Sequence, residues 1–319
     1  MIEGEDLLLC PTCGTQFDAP ASDPPSGYCR ICDDPRQYIP ASGQAWTSLK
    51  AEAGKHQTKW KQDEQDERIW SIWAEPKLGI GQRALLLQTP NGNVLWDCIA
   101  YLDQPLIDFI NSLGCLTAIV ISHPHFYTTH ISWAATFDCP VYVHALDQEW
   151  LCRTPLPTTK RVLLQKQYEE IVEGVTAIQV GGHFEGSMVL HWDGHLFIAD
   201  TFVNVPVSMP FSTLVPELEL DKKELTMMKS TQSGFYRKDR PKGTTSFSFM
   251  WSIPNMIPLP PDTIYNMWKA VKPYDFTATH GLFTGWDIRD ENVKKSVLES
   301  MKIQVRNQGF AEHALLDEE

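Results

Sequence analysis

The sequence predicts an α/β fold, two β-sheets packed as a sandwich and flanked by helices, with a small cysteine-rich ribbon in front of it. Three observations carry this. Short apolar runs arrive in pairs across turn sequences, as in "RALLLQTPNGNVLWDC" (83–98) and "MVLHWDGHLFIAD" (188–200). Stretches with helical spacing alternate with further apolar runs. Two C-x2-C pairs stand within the first fifty residues and nowhere else.

Taken in order, the ribbon comes first. "CPTCGTQFDAPASDPPSGYCRIC" places Cys10, Cys13, Cys29 and Cys32 as two knuckles, which can offer four thiolates to one tetrahedral ion. Gly14 suits the tight turn after the first pair. A structural zinc that folds a segment too short to bury a core is expected, with a rubredoxin-like iron centre as the alternative. Residues 1–50 are read as ribbon and tether, and 51–319 as the main body. The polar stretch "KAEAGKHQTKWKQDEQDE" is read as a junction, with the α/β pattern beginning near residue 68.

In the body, "DQPLIDFINSLG" (103–114) reads as a helix. Asp103 caps it, Pro105 sits in its first turn, Leu106, Phe109, Ile110 and Leu113 form one face, and Gly114 ends it. "LTAIVIS" is a buried strand, "THISWAATF" a short helix, "PVYVHA" a strand and "DQEWLCR" the next helix. At the C-terminus Val293, Val297, Leu298, Met301 and Val305 recur at helical spacing. Residues 203–276 exceed what a connection needs. Prolines with Phe235, Tyr236, Phe247, Phe249, Met250 and Trp251 suggest an apolar wall that shapes substrate choice, or a helical insertion packing on the core. Arg237, Lys238 and Arg240 offer charges to an anionic group, or form an ordinary solvated run.

Composition narrows the function classes. Eleven tryptophans and a hydrophobic fraction of 43% require a real core. A net charge of −13, from 27 basic and 40 acidic residues, repels polyanions, so nucleic acid is not an expected partner. No apolar run is long enough for a membrane span, and "MIEGEDLLLC" lacks the basic-then-apolar layout of a secretion signal. Cys98, Cys115, Cys139 and Cys152 are scattered and fit buried thiols in a reducing compartment. A cytoplasmic protein with a small-molecule substrate is expected, its oligomeric state open.

The chemistry concentrates in "SHPHFYTTH" (122–130). Residues two apart on an extended chain point the same way, so His123 and His125 can grip one ion, and Pro124 favours an extended His123. His183 follows a Gly-Gly turn and Asp200 ends a strand, places where ligands from distant segments converge. Three imidazoles and a carboxylate suit one zinc or iron ion.

These motifs in this order resemble the metallo-β-lactamase superfamily over roughly residues 68–310. "SHPH" is similar to the start of its T-H-x-H-x-D-H signature, "GGHFEGS" to G-H-T-x-G-S, "IADT" to G-D-T, and "THG" to the segment of its last histidine. The resemblance implies an αββα sandwich with Asp97 as the buried structural aspartate. It implies His123, His125 and His183 on a first metal, Asp200 as a bridging carboxylate, and His280 on a second metal. Tyr127 and Thr128 stand where the family carries an aspartate and a histidine, so the second site has lost two ligands. Tyr127 is then a filler of that pocket or a hydrogen-bond donor to substrate, and His280 a substrate contact, a proton donor or a packing residue. His130 reads as a helix-start residue, with a substitute ligand for the second metal as the alternative, and His144, His191 and His195 read as structural. Three activities are open: a metal-dependent hydrolase of an ester, thioester or lactone, a mononuclear non-haem iron oxygenase, and a non-catalytic scaffold with a vestigial site.

Overall fold

The computed structural model describes residues 2–205 and 245–319. The ribbon pairs β1 (Leu7–Leu9) with β2 (Gln16–Pro20). A short helix α1 (Leu49–Glu52), capped by the Ser48 hydroxyl, leads into the first sheet. That sheet has seven strands in simple order: β3 (Gln57–Gln62), β4 (Ile69–Glu75), β5 (Ala84–Thr89), β6 (Gly92–Trp96), β7 (Ala118–Val120), β8 (Val141–His144) and β9 (Arg161–Leu164). It is antiparallel from β3 to β6 and parallel from β6 to β9, with crossovers supplied by α2 (Gln104–Ser112), α3 (His130–Phe137) and, between β8 and β9, a segment with the 3-10 turn Ala145–Trp150.

The second sheet runs β10 (Tyr168–Val172), β11 (Val175–Gln179), β12 (Met188–Trp192), β13 (His195–Phe197), then two late strands described below. Short pairs follow: β14 (Val203–Asn204) with β15 (Phe247–Ser248), and β16 (Met250–Ser252) with β17 (Ile257–Pro258). After helix α4 (Pro261–Val271), β18 (Ala278–His280) joins β13 in parallel and β19 (Asp287–Arg289) closes the edge. Helix α5 (Val293–Asn307) is the last long element.

Period-two patterning divides these residues among three cores. Leu85, Leu87, Val94 and Trp96 face Ala177, Met188, Leu190 and Phe197 between the sheets. Their alternates, Ala84, Leu86 and Leu95, pack outward under α2 and α3 with Leu106, Ile110 and Ile131. On the far side Val189, Leu196 and Ile198 lie under α4 and α5 with Ile264, Val297 and Met301. Helices thus cover both outer faces, and the result is the αββα sandwich that the motifs implied.

Several expectations need correction. "DQEWLCR" is not an α-helix: a 3-10 turn, Ala145–Trp150, kinks at Asp147 and gives way to extended chain at Leu151. The stretch read as a junction supplies the edge strand β3, whose Gln57, Lys61 and Gln62 are exposed while Thr58 is buried and Trp60 stacks on Phe109 at 4.5 Å. Charged side chains on an edge strand block further pairing, which is why the segment did not read as a strand. Phe247 and Phe249 are fully buried beneath α5 rather than walling a pocket. Residues 261–271 form α4, a covering helix of the sandwich. Phe235, Tyr236, Arg237, Lys238 and Arg240 lie outside the described residues. No cysteine is in a disulfide; Cys98 and Cys139 are buried as expected, whereas Cys115 is exposed.

Among the described residues, no helix is long and apolar enough to cross a membrane.

Candidate metal centres

The loop after β7 belongs to the first sheet, and the β11–β12 and β13 loops to the second. All three meet at one edge. Asp97, at φ 59°, turns its buried carboxylate to accept the Ser122 amide at 2.7 Å, which fixes the start of the histidine loop. Burial pushes the Asp97 carboxyl up to about 7. The Ser122 hydroxyl in turn bonds His123 Nδ1 at 2.8 Å. His123 is extended, as Pro124 dictates, but Pro124–Phe126 form a 3-10 turn, so His125 does not follow by simple strand alternation. The turn instead presents Nδ1 of His125, and not Nε2, to the cluster. Gly182, at φ 92°, precedes His183; a Cβ there would meet Leu259 and Thr201 under 3 Å away.

His123, His125, His183 and Asp200 are all buried, and their donor atoms lie within 4.8 Å of one another. Asp200 Oδ2 is 3.3 Å from His123 Nε2, 3.3 Å from His125 Nδ1 and 3.6 Å from His183 Nε2, and the last two nitrogens are 3.0 Å apart. A tetrahedral ion with bonds near 2.0–2.1 Å requires donor separations of about 3.3–3.4 Å. The side chains therefore fit one ion. His123 Nε2 is buried with no hydrogen-bond partner, an orphan that a cation would satisfy.

The electrostatics agree. Burial lowers His183 well below the ordinary histidine range and brings His125 to about 4, so both rings are neutral donors at neutral pH. Burial pushes the Asp200 carboxyl up, and the three imidazoles, His123 foremost, outweigh it and hold it well below the usual range. His183 Nδ1 bonds the Trp251 carbonyl at 2.6 Å, which leaves its Nε2 lone pair on the cluster side.

The remaining candidates lie elsewhere. The Tyr127 hydroxyl donates to the Asp147 carbonyl at 3.3 Å, and Thr128 contacts the Cys98 thiol at 3.1 Å. His130 opens α3 and bonds the Tyr127 carbonyl at 2.7 Å. His280 is fully buried, with Nδ1 on Asp287 at 2.8 Å and Nε2 on His195 Nδ1 at 2.9 Å. Asp63, His280 and Asp287 form a further donor group, but Arg289 and Arg83 already neutralise its carboxylates at 2.7 and 2.6 Å. Asp147 was missed from sequence. Its Oδ1 accepts the Gly186 amide at 2.9 Å, its Oδ2 is buried without a partner, and burial pushes it up to about 6.

In the ribbon, Cys10 and Cys32 sulfurs are 3.7 Å apart and Cys13 and Cys29 sulfurs 3.6 Å apart, all four buried. Zinc–thiolate bonds near 2.3 Å imply about 3.8 Å, so these too fit one tetrahedral ion. Hydrogen bonds from its neighbours hold Cys10 low, while burial pushes Cys13 far up. Gly14, at φ 82°, lets this turn touch the body: a Cβ would lie 2.6 Å from that of Ala100.

Sandwich, helical layers and a loop-edge cluster of three histidines and an aspartate together make this a protein of the metallo-β-lactamase fold. The chain is 35% identical to the uncharacterized protein YmaE of Bacillus subtilis over 304 residues, 92% of this chain and 95% of that one, and it belongs to the same family. No family model matches the sequence. Similar solved structures include a metallo-β-lactamase from Hirschia baltica (13% identity, TM-score 0.46, 77% of this chain and 97% of that one). The chemotaxis sensor ODP of T. denticola is another (14%, 0.45, 79% and 100%).

Proposed function

We propose that the protein is a metal-dependent hydrolase of a small-molecule ester, thioester or lactone, working with one ion held by His123, His125, His183 and Asp200. The observation that carries this reading is the near-tetrahedral spacing of four buried donors at the open edge of the sandwich. A divalent cation held by these four side chains would supply Lewis acidity, lowering the pKa of a water and polarising a scissile carbonyl.

The chain's own groups do the rest. The Trp251 carbonyl and the Ser122 hydroxyl orient the His183 and His123 rings. Asp200, held ionised, is the fourth donor, so an attacking water would have to join as a fifth, and Asp200 would then orient that water or accept its proton. Phe126 and Phe184, both buried against the rings, exclude bulk solvent. Support for a single ion comes from Tyr127, Thr128 and His280, whose polar atoms are already engaged with protein partners. A single ion favours carbonyl chemistry over in-line phosphoryl transfer, which paired metals serve. The ribbon ion is proposed to be structural zinc.

Elemental analysis of the wild type beside a His123→Ala, His183→Ala double variant tests the site. The wild type should carry about two metal equivalents and the variant about one, the ribbon's. Equal metal content in the two proteins would refute the assignment. Iron in the lost equivalent, with dioxygen consumed on turnover, would move the reading to the oxygenase.

A further inference from the structure

The two donor clusters are joined by four residues. Cys29 and Cys32 form the second knuckle, closed by the Asp33 amide on the Cys29 carbonyl at 2.8 Å, and the chain then runs directly onto the loop carrying His183. Arg36 makes the contact. Its Nη1 donates to the His183 carbonyl at 3.1 Å, and its guanidinium lies 3.7 Å from the Phe184 ring centroid and 4.9 Å from that of Trp150. Asp34 takes the other face of the fork, accepting from Nε at 2.7 Å and Nη2 at 3.0 Å. Trp251, whose carbonyl bonds the His183 ring at Nδ1, is itself 5.8 Å from the guanidinium. Asn255 ties the backbone down by donating to the Pro35 carbonyl at 2.8 Å.

Two features argue against Arg36 as a substrate-binding cation. Each of its three guanidinium nitrogens already donates to a protein acceptor, and its side chain is only 14% exposed. Asp34 also offsets its charge, which removes the repulsion that a bare guanidinium would exert on a cation beside His183. What remains is a rigid strut from the cysteine knuckle to a metal-ligating loop.

We propose that Arg36 is a positioning residue of the histidine site, and that the ion-loaded ribbon sets the coordination geometry at His183 through it. The ribbon is then a working part of the site and not a separate folding or electron-transfer module. This rests on the reading that His123, His125, His183 and Asp200 hold an ion.

The test is a Co(II) titration of metal-free wild type, Arg36→Ala and Arg36→Met, the last keeping the contact with Phe184 while deleting the donors. Thiolate ligation is read from near-ultraviolet charge transfer, and imidazole–carboxylate ligation from weaker visible bands. Both variants should keep the thiolate signal and bind the second equivalent about tenfold to a hundredfold more weakly, with its visible bands altered. Wild-type affinity and spectrum at the second equivalent in both variants would overturn the positioning role alone. Loss of the thiolate signal in both would overturn it too, since Arg36 would then support only the ribbon. A wild type that takes up only thiolate-bound cobalt would sink the metal reading of the histidine cluster itself.

Discussion

Replacing Arg83 by Met should cost the fold far more than one surface charge. Arg83 precedes β5 in the first sheet and reaches across to the second, where it bonds Asp287 at 2.6 and 3.1 Å and the Gly281 carbonyl at 2.9 Å, with a fourth bond to Ser71 at 2.9 Å. Its side chain is 2% exposed and that of Asp287 18%. Burial pushes the Asp287 carboxyl up, and Arg83 outweighs it to hold the group far below the usual range. Removing one partner of such a pair strands the other charge, at about 3–5 kcal/mol. For a chain of this size, with a urea m-value of about 3 kcal/mol/M, the unfolding midpoint should fall by about 1–1.7 M. In the variant His280, at 2.8 Å, is the remaining group able to neutralise Asp287. Its folded pKa must rise, and a raised histidine pKa adds stability that is lost as pH climbs through it. The deficit should therefore be smaller at about pH 5 than at about pH 8. Urea midpoints followed by tryptophan fluorescence measure both effects. A drop below about 0.3 M, or one independent of pH, would refute the reasoning.

Asp97→Asn probes the opposite sign. Its folded carboxyl holds a proton to about 7, far above the unfolded value, so the native state loses stability as pH rises from about 4 through 7. The variant should become relatively more stable than wild type between about pH 5 and pH 8, and parallel stability curves would contradict this. Tyr127→Phe deletes one hydrogen bond to the Asp147 carbonyl; stability should fall by about 1 kcal/mol with metal content and kcat unchanged, and a large loss of kcat would return Tyr127 to the reaction.

Where a rule of spacing and a rule of chemistry coincided, the sequence was sufficient. Asp103 caps α2 by accepting the Leu106 amide, and the Asp193-Gly194 turn adopts positive φ at both residues, as the hairpin required. The four cysteines and the four donors at 123, 125, 183 and 200 are brought together because each sits at a strand end or knuckle whose partners are set by topology. Long-range electrostatics were not legible. Arg36 stands 147 positions from His183 and Arg83 204 from Asp287, and no local pattern links either pair. His280 shows the same limit: its motif context suggested a ligand, but register places it opposite Phe197 on β13, where Asp287 and His195 take both nitrogens.

These distant contacts have a physical reason. Two sheets joined by an apolar core resist shear poorly at their open ends, where neither hydrogen-bond ladder continues, and a four-ligand ion spanning both needs those ends fixed to a few tenths of an ångström. Buried polar bonds supply the fixing. The Ser122 carbonyl accepts the Met188 amide from β12 at 2.9 Å, Arg83 staples β5 to the β18–β19 turn, and Arg36 bonds the His183 carbonyl from the ribbon side. Each costs desolvation that apolar packing would avoid. The bonds at Ser122 and Arg36, which hold the chain at His123 and His183, are therefore better explained by a demand for geometry at the candidate metal centre than by stability alone.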